Sequence, residues 1–95
     1  MARVSDVLSQ GEILAQLAEE GAELTQAALK LRRAMEGVNP TPVSIQQAGD
    51  RLVEEIADVI VCENQLLGID WNVVDEICKR KLGRWEGRLE ASIGG

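Results

Sequence analysis

The chain has no histidine, tyrosine or phenylalanine, and only two tryptophans, two cysteines and two prolines in 95 residues. Without histidine there is no Ser-His or Cys-His pair for nucleophilic catalysis, and no imidazole to hold a transition metal. The hydrophobic content of 45% is mostly aliphatic, which favours helices over a β-sandwich. Two cysteines make no disulfide framework and point to a reduced, cytoplasmic setting. No apolar run approaches the ~20 residues that span a bilayer. The opening MARVSDVLSQGEIL has no apolar segment long enough for a signal peptide, so a soluble intracellular protein is expected. There is no Gly-rich phosphate loop. Basic residues are also scarce, 10 against 16 acidic ones. The resulting net charge of −6 argues against a nucleic-acid partner or an anionic membrane.

A chain of this length holds one small domain, residues 1–95, and one core. Residues 1–9 read as a lead-in with one helical turn capped by Ser5, and residues 92–95 as a flexible tail. Ser9 with Glu12 forms a capping box that opens a first helix running to about residue 36. Gly21 inside it costs up to ~1 kcal/mol relative to alanine and suits close approach of another backbone. The Pro-rich break at residues 37–42 ends that helix. Ser44 with Gln47 opens a second helix to residue 67, with Gly68 at C′ and Ile69 as the following apolar residue. Asp70 caps a third, from residue 71 to about 90.

Two stretches dominate the chain: LAEEGAEL at residues 17–24 and LVEEIADV at residues 52–59. They align Leu on Leu, Glu-Glu on Glu-Glu and Ala on Ala, with Glu23 matching Asp58. Leu17, Leu24, Ala28, Leu31 and Met35 read as the core line of the first helix, and Leu52, Ile56, Val59 and Leu66 as that of the second. At about 100° per residue, Glu20 and Glu55 lie about 60° from those lines, and Glu23 and Asp58 about 120°, all on the same side. Glu19 and Glu54 point further round, toward solvent. Two helices packed on these lines bring four carboxylates together at the edge of the core. Converging carboxylates repel and are costly to desolvate, so a cation belongs between them. An all-oxygen set suits a hard ion, Mg²⁺ or Mn²⁺.

Val53, Ala57, Ile60 and Val61 carry apolar character round the back of the second helix. A helix apolar on nearly every side is covered on more than one. The expected architecture is therefore all-α, three main helices per chain, with a four-helix-bundle-type core completed in a homodimer or homotetramer. Glu63 lies near the core line, either paired with a base or serving as a further ligand. On the third helix an apolar line of Val74, Cys78, Leu82, Trp85 and Leu89 is flanked by Lys81, Arg84 and Arg88. These three either hold phosphate oxygens or neutralise the acidic helices and the helix C-terminus. Trp71 and Trp85 either stack on a nucleobase or fill the core. Cys62, one turn beyond Asp58, lines a pocket or is a small buried residue.

With EEGAE at residues 19–23 and EIAD at residues 55–58, the chain resembles the all-α nucleoside triphosphate pyrophosphohydrolases of the MazG-like superfamily. The likeness runs over residues 13–88. It implies Mg²⁺ ligation by Glu20, Glu23, Glu55 and Asp58, and catalytic roles for Glu19 and Glu20, with Glu19 ordering or activating water. Lys81 and Arg88 fit the family's phosphate contacts, while Trp85 stands where an Asn is expected. Lys81, Arg84, Trp85 and Arg88 are thus the expected substrate-binding residues. The implied reaction converts a (deoxy)nucleoside triphosphate to the monophosphate and pyrophosphate. Two other readings stand beside it: a phosphoribosyl-ATP pyrophosphohydrolase-like enzyme, and a non-catalytic helical module stabilised by its metal.

Overall fold

The computed structural model describes residues 4–37 and 42–94. Among these the chain is all-α with no strand: a single turn α1 (Val4–Val7) and three long helices, α2 (Gln10–Glu36), α3 (Ile45–Asn64) and α4 (Trp71–Gly94). Residues 1–3 of the expected lead-in, residues 38–41 of the Pro-rich break and Gly95 lie outside the described residues. No helix among the described residues is long and apolar enough to cross a membrane.

Local sequence sets most helix ends. Ser9 Oγ accepts from the Glu12 amide at 3.1 Å while Glu12 Oε1 accepts from the Ser9 amide at 3.1 Å, closing the capping box of α2. The Ser44–Gln47 pair does the same for α3, at 3.0 and 2.9 Å. Each box satisfies two backbone N–H groups that would otherwise have no partner. Gly37 ends α2 with φ of 65°, where a side chain would be strained, and its amide donates to the Arg33 carbonyl. Asp70 Oδ1 accepts from the amides of Asn72 and Val73 at 3.0 and 3.3 Å and so caps α4.

Three boundaries differ from the sequence expectation. The α1 turn begins at Val4, one residue before Ser5, its expected cap. The α3 helix stops at Asn64 rather than residue 67. There the Gln10 side chain, from the start of α2, donates to the Gln65 carbonyl at 3.3 Å and accepts from the Leu67 amide at 2.9 Å. The turn after α3 is thus satisfied without further helix, and Gly68, with φ of 78°, turns the chain four residues after the last helical one. The α4 helix continues to Gly94, past residue 90, since nothing in Ala91, Ser92 or Ile93 breaks it.

The Gln10 bridges put the start of α2 beside the end of α3, so these two helices form an antiparallel hairpin. Most of its buried and half-buried positions follow a 4–3 alternation, with Gly21, Gly49 and Glu63 beside it. On α2 they include Ile13, Leu17, Glu20, Leu24, Ala27, Leu31 and Ala34; on α3, Ala48, Leu52, Glu55, Val59 and Cys62. That is the seam of a left-handed helix pair. It corrects the expected core lines, because Ala28, Met35 and Ile56 are all exposed, Met35 by 64%. Among the described residues Gly21 meets no close backbone of another element: a Cβ added there would have nothing within 4 Å.

Among the described residues, only α2 and α3 pack extensively on each other. The exposed back of α3 carries Val53 (67% exposed), Ile56, Ile60 and Val61, and α4 exposes Leu82, Trp85 and Leu89. The radius of gyration is 17.5 Å, against about 12 Å for a compact domain of this length.

Candidate metal centre

In the α2–α3 seam two of the alternating positions are occupied by carboxylates. Glu20 falls between Leu17 and Leu24, and Glu55 between Leu52 and Val59. The antiparallel pairing sets the two opposite each other, and Glu23, three residues on from Glu20, stands over them from the same helix face. One oxygen from each of Glu20, Glu23 and Glu55 lies within 4.8 Å of the other two. The group runs from buried Glu55 through half-buried Glu20 to exposed Glu23, at the edge of the core, with the first two on the 4–3 seam rather than beside lines through Ala28 and Ile56.

Glu55 is 1% exposed, the one charged side chain among the described residues that is buried. Its Oε1 faces Arg51 Nη2 at 2.7 Å in an ion pair whose alignment is not that of a hydrogen bond, and its Oε2 has no partner. Glu20, half-buried, accepts from Gln16 Nε2 at 2.9 Å through Oε1, while its buried Oε2 also has no partner. Burial pushes the Glu55 carboxyl above the ordinary carboxylate range. The Arg51 guanidinium pulls it down by less, while the charge of Glu23, a hydrogen bond shared with its carboxylate and the charge of Asp58 add to the rise. Burial likewise raises the Cys62 thiol, with further contributions from the charges of Glu20 and Asp58. Unpartnered buried carboxylate oxygens are costly, and each would gain a partner from a cation placed among them. The donor set, oxygen only, suits a small hard ion.

Compared with protein-family models, curated proteins and solved structures, the chain matches none. What the site can do follows from its own chemistry.

Of the four expected ligands, Glu20, Glu23 and Glu55 come together. Asp58 is exposed on α3 outside that group, yet its charge reaches both Glu55 and Cys62. Glu19 is exposed on α2, also outside the group. Half-buried Glu63 belongs to neither: among the described residues it has no basic partner within ion-pair distance and is not part of the cluster. Cys62 lines an apolar pocket of about 170 Å³ with Val4, Leu8, Ile13 and Gln16.

Lys81, Arg84, Trp85 and Arg88 line one surface of α4, around a shallow hollow of about 380 Å³ to which no other helix contributes. Neither Trp71 nor Trp85 is buried in the chain. Sequence reasoning missed Arg51. It stands four residues before Glu55, the spacing at which two side chains on one helix face meet, and its Nη1 also reaches Glu54 Oε2 at 3.4 Å.

Proposed function

We propose that the chain is a Mg²⁺-dependent nucleotide pyrophosphohydrolase of the MazG-like, all-α kind, converting a (deoxy)nucleoside triphosphate to the monophosphate and pyrophosphate. The observation that carries this reading is the buried Glu55 carboxylate, with an unpartnered oxygen, grouped with Glu20 and Glu23. Glu20, Glu23 and Glu55 would hold the ion, with Asp58 at their rim, and Mn²⁺ suits the same oxygen donors. Bound there, the ion supplies a lowered pKa for water and charge stabilisation on a phosphoanhydride.

The chain's own residues supply the rest. Glu19, one residue before Glu20, points round the helix toward solvent, where it orients water and accepts its proton. Lys81, Arg84 and Arg88 supply positive charge to phosphate oxygens, and the exposed Trp85 offers a flat face to a base. These four residues share a surface with no carboxylate of the cluster in one chain, so they serve a site only where a second copy brings α4 over it. A homodimer or homotetramer would do so by covering the apolar backs of α3 and α4.

The test is product analysis by phosphorus NMR on purified protein with Mg²⁺ and a panel of nucleotides that includes phosphoribosyl-ATP. The expected products are monophosphate and pyrophosphate in equal amounts, with no diphosphate intermediate. Diphosphate plus orthophosphate would overturn the mechanism. Binding of Mg²⁺ with no turnover of any nucleotide would leave a metal-stabilised, non-catalytic helical module as the better account.

A further inference from the structure

Beside the carboxylate cluster, and sharing Glu23 with it, is a pocket of about 240 Å³ lined by Glu23, Gln26, Ala27, Lys30 and Arg51. We infer that Lys30 and Arg51 form an anion-binding lobe of the same site, receiving the terminal phosphates of a polyphosphate whose other end lies at the cluster. This rests on the cation-binding reading given above.

The topology puts both cations on one side of the cluster. Lys30 lies two turns after Glu23 along α2, and Arg51 one turn before Glu55 along α3. In an antiparallel hairpin those two directions coincide. By helix rise they stand about 10 and 6 Å along the axis from their cluster residues. Along the hairpin the three carboxylates are thus followed by Arg51, whose guanidinium touches Glu55, and then by Lys30.

The two cations differ in their present partners. Lys30 is exposed and, among the described residues, has no carboxylate within ion-pair distance. Arg51 divides itself between Glu54 and Glu55. A divalent cation taken up by Glu55 competes with that guanidinium for the same carboxylate and repels it at short range. An anion between the two cationic centres removes the repulsion. A polyphosphate fits because one end offers oxygens to the ion while the next phosphates offer oxygens to Arg51, which binds them in pairs, and to Lys30, which acts as a point charge. Gln26 adds a neutral amide donor at the pocket wall.

Inorganic pyrophosphate is the probe, and calorimetry reads Mg²⁺ first and pyrophosphate second at saturating Mg²⁺. Lys30→Gln should leave Mg²⁺ affinity unchanged and weaken pyrophosphate about tenfold, the worth of one charge-assisted contact. Lys30→Arg should keep pyrophosphate binding to within about threefold. Arg51→Gln should weaken pyrophosphate at least as much as Lys30→Gln, with Mg²⁺ affinity equal or tighter because a competing cation is gone. Lys79→Gln, which removes a charge that is paired with Asp75 on α4, should leave both affinities alone. Wild-type pyrophosphate affinity in both Lys30→Gln and Arg51→Gln would overturn the lobe while leaving the metal centre standing. So would a wild-type protein that takes up Mg²⁺ but no pyrophosphate. A wild-type protein that takes up no Mg²⁺ would overturn the metal centre and the lobe with it.

Discussion

Arg51 Nη2 lies 2.7 Å from Glu55 Oε1, a guanidinium whose side chain is 55% exposed set against a carboxylate that is 1% exposed. The pair is one-sided: it engages one oxygen of Glu55 and leaves the other without a hydrogen-bond donor, in a group shared with the Glu20 and Glu23 carboxylates. Arginine at the rim therefore offsets only part of the cost of burying this charge. The remainder is available to any cation that reaches Oε2.

Replacing Glu55 by glutamine should raise the stability of the metal-free protein at neutral pH and abolish its stabilisation by Mg²⁺. The sign follows from the upward shift of this carboxyl. Its protonated form is favoured in the fold, so the associated stability is present below the ordinary carboxylate range and is lost as pH rises through the raised value. The advantage of Glu55→Gln should thus be absent in acid and appear above that range. Thermal melts across pH, in chelator and in Mg²⁺, read both effects.

Each capping box should be separable from the site. Ser9→Ala and Ser44→Ala should each cost about 1 kcal/mol in urea unfolding. The Ser9 amide and hydroxyl hold the Glu12 carboxyl below its ordinary value, so its contribution is present above the unfolded value and fades as pH falls through the lowered one. Glu12→Gln should accordingly be less stable than wild type at neutral pH and equal to it in acid.

Gly21→Ala should stabilise the protein by up to ~1 kcal/mol, since the new methyl group meets nothing within 4 Å and alanine is the better helix former. A loss of stability in denaturant titrations would mean that another chain closes on α2 at this point.

The exposed valines and isoleucines of α3 should be covered by a second copy. Sedimentation should show at least a dimer, and Val53→Glu, which adds a charge at a side chain 67% exposed in the single chain, should dissociate it. A folded wild-type monomer that does not associate would contradict the completed bundle.

Helix starts were legible in the sequence because Ser9 with Glu12, Ser44 with Gln47, and Asp70 act within three residues of themselves. The end of α3 was not, because it depends on Gln10, 57 residues from the amide it captures. The core lines were legible only in part. Reading apolar residues as interior recruited Ala28, Met35 and Ile56, all exposed, and moved Glu20 and Glu55 aside. The actual seam runs through those two carboxylates, an arrangement that hydrophobicity alone argues against. The repeat of EEGAE and EIAD did bring Glu20, Glu23 and Glu55 to notice, and these three do converge. Arg51 escaped because a base four residues from an acid is an ordinary surface pattern, and only the burial of Glu55 makes it matter.

The most direct measurement is a titration of the protein with Mn²⁺, followed by the paramagnetic resonance signal of the free ion. The carboxylate cluster around buried Glu55 predicts that the wild-type chain removes Mn²⁺ from solution in a saturable way, that added Mg²⁺ displaces it, and that Glu55→Gln leaves the free signal intact. A wild-type protein that leaves the free-ion signal unchanged, or a Glu55→Gln variant that takes up Mn²⁺ as tightly as wild type, would contradict it.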